Sequence, residues 1–277
     1  MIDDELTSRR PFARILAGTD GSERGTEAVR QAARLAAALG VRLTLAYVIE
    51  RKPQEEGEAD RALEAGIAAA RSISVDAETE ILTGDPADAI IQRAERDAVD
   101  LVCVGPDSGP LGGAIRFGRV AARILREARC SVLVARRAGS EFPQRIAGAI
   151  DGSESSVHTA IVAAAVAEAT GAELRLVHVV PVFRGHMTEW TLGPEEVSPA
   201  ELEPAVSAVS SLGVTPIREM AMGRPERALV SVAGRDQIDL MVVGHRGISG
   251  VQRVLLGSVN EHVAHHAPCS VLVVRIA

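Results

Sequence analysis

The chain contains one sequence pattern twice, and this repetition limits the folds open to it more than any other feature. Four segments of the first half recur in the second: 20–23 in 151–154, 83–90 in 222–229, 99–105 in 238–244, and 130–134 in 269–273. The first pair is 131 residues apart and the other three are 139 residues apart. Self-similarity over this distance indicates two tandem copies of one domain, and 277 residues are enough for both.

Domain boundaries follow from the two spacings. The second copy has eight extra residues, and we expect them around 181–200, the segment that holds the only tryptophan, Trp190. The chain is accordingly divided into an N-terminal tail at 1–11, a first domain at 12–137, a linker at 138–144 and a second domain at 145–277.

Each copy predicts strands that alternate with helices. In the second copy the apolar strand segments are 145–150, 173–180, 214–220, 238–244 and 269–276. Alternation of this kind is typical of a doubly wound α/β domain, whose five-stranded parallel sheet is covered on both faces. Ligands in such sheets bind at the carboxyl ends of the strands, where the winding reverses. We therefore expect a site between Asp151, after the first strand, and Gly244, at the end of the fourth.

Composition excludes several classes of protein. A net charge of −7 and 2% aromatic residues disfavour a nucleic-acid-binding protein, which needs clustered cations or stacking rings. No apolar run reaches the roughly 20 residues that span a bilayer, and residues 1–10 contain no signal-peptide core. We expect a cytoplasmic protein without a membrane partner. Cys103, Cys130 and Cys269 lack metal-ligand spacing and are interpreted as small buried hydrophobic residues.

A glycine-rich segment follows the fourth strand of the second copy. Gly244, Gly247 and Gly257 form the pattern G-x2-G-x9-G, and Ser258 comes next, near the predicted start of a helix. Glycine allows a close approach of ligand and backbone, and a helix N-terminus offers N–H groups to a phosphate. With Asp151 opposite as an acceptor for ribose hydroxyls, the segment predicts a nucleotide site, although such a loop alone is also compatible with simple turns. The P-loop pattern G-x4-G-K-[ST] is absent, and the dinucleotide-binding pattern G-x-G-x-x-G does not follow the first strand of either copy.

The combined motifs resemble the universal stress protein family in its ATP-binding branch. They are the G-x2-G-x9-G-S run, "AIDGSE" at 149–154, "VHVV" at 177–180 and "APCSVLVVR" at 267–275. The resemblance covers nearly the whole chain, as two copies. It implies an adenine-nucleotide-binding fold with strand order 3-2-1-4-5 in each domain. It also implies that domains pair through their fifth strands, here as a pseudo-dimer within one chain, with further pairing into a homodimer left open.

The resemblance also implies a role for individual residues of the second domain. Asp151 would bind the nucleoside, the backbone of Val179 would meet the adenine edge, and Ile150 would line the base pocket. Gly244 would lie against the ribose. The implied phosphate-binding residues are Gly247, Gly257, Ser258 and Val259. The implied ligand is ATP, and Mg²⁺ would be held by phosphate oxygens and water rather than by a dedicated protein site.

The first domain departs from this pattern. Asp20 and Val48 match the nucleoside positions, and Gly105 and Gly118 match the outer glycines, but Arg119 replaces the serine. The middle glycine is likewise replaced, by Ser108. We expect a degenerate nucleotide loop and a weakened or lost site in this domain. Whether Arg119 contacts a phosphate or fills the vacant space is left open by the sequence.

No residue pattern predicts catalysis. Serines of the two motifs lack an identifiable His and Asp partner order, and 244–258 contain no acid to serve as a general base. His262, His265 and His266 are interpreted as a solvated helix face, and His178 as a core residue with a satisfied polar tip. The leading hypothesis is an ATP-binding regulatory protein of the stress response. A slow ATPase or adenosine-phosphate hydrolase, and a nucleotide-independent interaction module, are the alternatives.

Overall fold

The fold is described from a computed structural model of the 277-residue chain. The residues described are 10–50, 56–106, 118–136, 138–181, 200–245 and 257–276. Gly247, Ser108 and Trp190, which the sequence analysis singles out, lie outside these ranges.

The first domain contains five strands and four helices in strict alternation. Its elements are β1 (Arg14–Gly18), α1 (Glu23–Leu39), β2 (Arg42–Ile49), α2 (Glu56–Arg71), β3 (Glu78–Thr83), α3 (Pro86–Arg96), β4 (Leu101–Val104), α4 (Arg119–Glu127) and β5 (Ser131–Val134). All neighbouring strands are parallel, in the order β3-β2-β1-β4-β5. The predicted order 3-2-1-4-5 is confirmed for this domain.

The second domain repeats the arrangement. Its elements are β6 (Arg145–Ile150), α5 (Glu154–Thr170), β7 (Glu173–Val180), α6 (Glu203–Ser211), β8 (Ile217–Met222), α7 (Pro225–Arg235), β9 (Leu240–Gly244), α8 (Ser258–His266) and β10 (Ser270–Val274). The strands are again parallel, in the order β8-β7-β6-β9-β10. The doubly wound α/β class predicted from the repeat is therefore confirmed in both copies.

One strand of the second domain lies later in the chain than its sequence suggests. The apolar pattern predicts a strand at 214–220, whereas β8 begins at Ile217 and extends to Met222. Gly213 has a left-handed φ of 84°, and Pro216 has no N–H to donate to a ladder. Pairing with β7 then runs from Arg175–Ile217 to Val180–Met222. Turn geometry and ladder pairing, rather than hydrophobicity, set these bounds.

Contacts divide the chain into two compact units, 1–142 with 275–277, and 143–274. The change of unit falls within the segment 138–144, where the sequence predicts a linker. Phe142 at this point is buried. Pairing of the domains through their fifth strands, and a homodimer, stay predictions.

Both sheets are buried where the candidate site is built. Every residue of β4, and Leu240 to Val243 of β9, is buried, as expected for central strands covered by helices on both faces. Cys103 and Cys269 are buried free thiols and Cys130 is half-buried. Burial raises the pKa of the Cys103 thiol above its usual range and that of the Cys130 thiol to about 11. None of the helices in the described part of the chain has the length and apolar composition needed to cross a membrane.

In each domain, an aspartate in the turn before the fourth strand holds the start of the first strand in place. Asp100 Oδ2 accepts hydrogen bonds from the backbone N–H groups of Ala13 and Arg14, at 2.8 and 2.9 Å. The equivalent Asp239 accepts from the N–H groups of Gln144 and Arg145, at 2.8 and 3.2 Å. These bonds satisfy backbone donors at the amino end of the sheet and hold the first strand in register.

We expect Asp100→Ala and Asp239→Ala each to lower the free energy of unfolding by about 1–2 kcal/mol, because two backbone donors lose a charged acceptor. Urea denaturation followed by circular dichroism measures the change. Asp76→Ala, which removes an exposed carboxylate from the loop before β3, is the matched control. Equal stability of all three variants would contradict the proposed bracing role.

Candidate functional site

The repeated Asp-Gly-Ser-Glu segment folds into the same turn in both domains. Asp151 Oδ1 accepts hydrogen bonds from Ser153, at 3.1 Å from its N–H and 2.6 Å from its hydroxyl. Gly152 between them has a φ of 83°, which glycine adopts without strain. Ser153 Oγ then accepts from the N–H of Ser156 and caps α5. The turn therefore starts the helix and fixes the carboxylate in one step.

The second domain has a cavity of about 420 Å³ beside this carboxylate. Its walls come from the carboxyl ends of β6, β7 and β9 and from the amino ends of α7 and α8. Seven of the eight residues predicted for the nucleotide site line the cavity: Ile150, Asp151, Val179, Gly244, Gly257, Ser258 and Val259. The eighth, Gly247, is outside the described residues.

The cavity has further lining residues that the sequence analysis did not assign to the nucleotide site. His178 lines the cavity, and its Nδ1 donates to the carbonyl oxygen of Ile150 at 3.0 Å. The expected satisfied tip is therefore present, but the residue is part of the site rather than of the core. Glu201, Pro225 and Asn260 also contribute. Glu201 and Pro225 are brought in from distant chain positions, whereas Asn260 follows the glycine motif closely and its position on the pocket side of α8 could have been noticed.

Asn260 connects the two ends of the glycine segment. Its side chain is 8% exposed, and Nδ2 donates a hydrogen bond to the carbonyl oxygen of Gly244. The end of β9 is thereby fixed to the first turn of α8. The repeat-equivalent residue in the first domain is Ala121, which cannot make this bond. There, the N–H of Gly118 donates instead to the carbonyl oxygen of Pro106, at 2.5 Å.

Among the residues that the structure describes, none packs so closely against Gly257 that it requires a glycine there. Its φ of −60° is available to any residue, and a Cβ added there would lie 3.5 Å from Asn260 Nδ2 and 4.0 Å from the carbonyl oxygen of His245. Both are ordinary contact distances. Gly257 is the N-cap of α8, which receives no side-chain cap bond. The absence of a side chain thus leaves space in front of a helix N-terminus, where anions bind favourably.

Gly105 in the first domain has a different role. A Cβ there would lie 2.9 Å from the carbonyl oxygen of Arg24 and 3.0 Å from its carbon, closer than real side chains come to backbone. The glycine is therefore needed for β4 to pass the first turn of α1. The sequence motif alone did not distinguish this packing role from a role in ligand binding.

The first domain also has a cavity, of about 560 Å³. All five residues that match the motif positions in this domain line it: Asp20, Val48, Gly105, Gly118 and Arg119. Asp20 Oδ1 accepts from the N–H and hydroxyl of Ser22 at 3.0 and 2.6 Å, as in the second domain. Arg119 is exposed and lines the cavity without filling it. The charged residues Arg24, Glu50 and Glu58 line it as well, which the sequence analysis did not identify.

The histidines of α8 form a stacked pair rather than a metal site. The rings of His262 and His266 are 4.1 Å apart between centroids, and His266 Nδ1 donates to the carbonyl oxygen of His262 at 2.9 Å. Across the ranges given for the structure, no three His, Cys, Asp or Glu side chains stand close enough to hold a metal ion.

Comparison with known proteins identifies both domains. The model of the universal stress protein family matches residues 11–136 and 143–275. A universal stress protein from Thermus aquaticus is 37% identical over 134 residues, which are 46% of this chain and 95% of that protein.

Two solved structures share the fold over nearly the full length. A universal stress protein from Archaeoglobus fulgidus has a TM-score of 0.71 and 21% identity, covering 95% of this chain and 98% of that one. One described as a putative universal stress protein from Pseudomonas aeruginosa has a TM-score of 0.73 and 19% identity, covering 97% and 95%. At this identity the likeness shows the fold.

The two glycines should respond differently to substitution. We expect Gly105→Ala to lower the free energy of unfolding by about 1–3 kcal/mol, because backbone must move to admit the methyl group. Gly257→Ala should change it by less than about 0.5 kcal/mol, since its methyl group finds room. Thermal and urea denaturation measure both. A Gly257→Ala variant as unstable as Gly105→Ala would show that packing, not ligand space, explains this glycine.

Proposed function

The chain belongs to the universal stress protein family, and on that premise we propose that its second domain binds ATP and that occupancy regulates a stress response. The observation that carries the proposal is the space at Gly257. The glycine precedes a helix whose first N–H groups face a cavity that also contains a fixed carboxylate. A phosphate at one end and a ribose at the other complement these two features.

Individual roles follow from the positions of the residues. Asp151 accepts hydrogen bonds from ribose hydroxyls, and its orientation is set by Ser153. The backbone of Val179 meets the adenine edge. Ile150 forms an apolar wall for the base, and Gly244 lies against the ribose. The phosphates are bound at the start of α8 by Gly257, Ser258 and Val259, with Gly247 as a further proposed contact.

Binding rather than turnover is the activity that the chemistry favours. The wall at the proposed phosphate end, from Gly257 to Asn260, carries no acid that would orient an attacking water. Magnesium, when bound with the nucleotide, would be held by phosphate oxygens and would neutralise part of their charge. We place the protein in the cytoplasm and propose that nucleotide occupancy alters its conformation or its association with partners.

We expect nucleotide-free protein to bind ATP in calorimetric titration and Gly257→Val to abolish binding at the second site. The reason is that the branched side chain occupies the space in front of α8. Gly234→Ala, a substitution within α7, is the control, since a Cβ there meets only an ordinary contact at 3.9 Å. If the wild-type protein has no affinity for adenine nucleotides at millimolar concentration, the proposal is wrong. It is also wrong if a folded Gly257→Val protein binds ATP as the wild type does.

Occupancy should be unequal between the domains. We expect about one tightly bound adenine nucleotide per chain. The reason is that the first domain has no equivalent of the hydrogen bond from Asn260 to Gly244 and carries Arg119 in place of Ser258. Heat denaturation of purified protein followed by chromatography of the supernatant counts the bound nucleotide. Two tightly bound nucleotides per chain would contradict the inequality. Sustained release of product from ATP, lost in Gly257→Val, would favour the slow hydrolase instead.

A further inference from the structure

An ion-pair network joins α3 and α4, the two helices beside the first cavity. Arg123 of α4 reaches across to α3, where its guanidinium contacts Asp85 at 3.0 Å and Asp88 at 2.5 Å. It also pairs with Glu127 on its own helix, at 3.2 Å. Three carboxylates thus surround one guanidinium, and the surface at the beginning of α3 is acidic.

The second domain reverses the charge at the equivalent positions. At a spacing of 139 residues, Asp85 corresponds to Arg224, Asp88 to Arg227, Arg123 to His262 and Glu127 to His266. Arg224 is 69% exposed at its side chain and pairs with Glu226 at 2.7 Å. Burial lowers the pKa of His262, and the charges of His266, Arg227 and Arg224 lower it further, whereas Glu226 raises it. These groups therefore act on one another across the α7–α8 contact.

Each charge cluster begins at the residue directly before a proline that lines the cavity of its domain, and we call this position the rim. Pro86 lines the first cavity and Pro225 the second, and each directly follows the first residue of its cluster, Asp85 or Arg224. In the second domain, Ser258 and Val259 line the cavity. His262 lies one turn farther along α8 than Ser258, a rise of about 6 Å. A phosphate chain that starts at Ser258 and extends along the helices approaches this cluster.

We infer that the charge at this rim sets how many phosphates each domain accepts: Arg224 and Arg227 favour a nucleoside triphosphate in the second domain, and Asp85 and Asp88 restrict the first to a monophosphate. The inference rests on the proposed nucleotide binding. It adds to that proposal a basis for discriminating between nucleotides and an assignment of ligand to the first domain.

Electrostatics gives the two domains opposite preferences. Each phosphate added to a nucleotide brings further negative charge to the end that extends past the helix N-terminus. Guanidinium groups within a Debye length, about 8 Å at physiological ionic strength, attract that charge, and carboxylates repel it. Arg119 at the start of α4 lines the first cavity and is suited to a phosphate next to the ribose. The first domain thus combines a cation near the ribose with a cluster farther out in which three carboxylates surround one guanidinium, so that the cluster is negative overall.

Side-chain exchange at these positions is compatible with the fold. Arg224 is the N-cap of α7, with φ −77° and ψ 122°, and makes no side-chain cap bond. Asp85 occupies the same position with φ −65° and ψ 129°, and its carboxylate caps α3. Aspartate at position 224 therefore enters a geometry in which it caps helices well.

The test compares ATP with AMP, by calorimetry without magnesium, in the full-length protein. In Arg224→Asp/Arg227→Asp we expect the ratio of ATP to AMP affinity at the second site to fall at least about tenfold, since two attractive charges become repulsive. Arg42→Asp/Arg71→Asp is the control, because it makes the same change in total charge on exposed residues of the first domain. The control should leave the ratio unchanged.

The first site is measured in the Gly257→Val background, which closes the second. In that background, a first domain with Asp85 and Asp88 unchanged should bind AMP more tightly than ATP. The double substitution Asp85→Asn/Asp88→Asn should raise the affinity of this domain for ATP by about tenfold. An unchanged ATP to AMP ratio in the second-domain variant overturns the inference while leaving ATP binding itself intact. Equal loss of ATP and AMP there also overturns it, because the rim would then act on all nucleotides. A wild-type protein that binds neither nucleotide overturns the proposed function and this inference together.

Discussion

The hydrogen bonds from Ser22 to Asp20 and from Ser153 to Asp151 are the interactions on which both pockets depend. In each case a short polar segment turns the chain out of a buried strand and caps the next helix. The same bonds fix a carboxylate at the carboxyl end of the first strand. Because parallel strands end on one side, this carboxylate lies at the same end of the sheet as the last residue of the fourth strand. A functional position is thus produced by the bonds that also begin the helix.

Duplication has preserved this framework and altered what surrounds it. The two domains share the strand order and the turn that contains Asp20 or Asp151. They also share an aspartate, Asp100 or Asp239, that holds the amino end of the first strand. They differ at the entrance to the last helix, where Asn260 joins the strand to the helix in the second domain and Ala121 leaves a backbone contact to do so in the first. This difference lies at the carboxyl ends of the strands, where the two cavities are formed.

Two glycines at different positions of the repeated motif show that glycine can be needed for different reasons. Gly105 is held against the backbone of α1, so that the protein itself excludes a side chain, whereas Gly257 has room for one. The first is explained by folding and the second is consistent with a ligand. The charge reversal from Asp85 to Arg224 adds a further difference at the same edge. Two cavities of similar origin thus differ in their lining and in the charges beside them without any change of fold.

The sequence by itself determined the duplication and the α/β class, because these depend on local periodicity and on repeated short motifs. Its resemblance to a known family supplied the strand order, and its motifs named seven residues that line the second-domain cavity. It also pointed to the asymmetry at Arg119. Only the tertiary structure decided that β8 starts at Ile217, that His178 lines the cavity and that Gly105 serves packing. The physical reason is distance along the chain: ladder pairing, cavity walls and close backbone approaches join residues whose neighbours in sequence carry no sign of the contact.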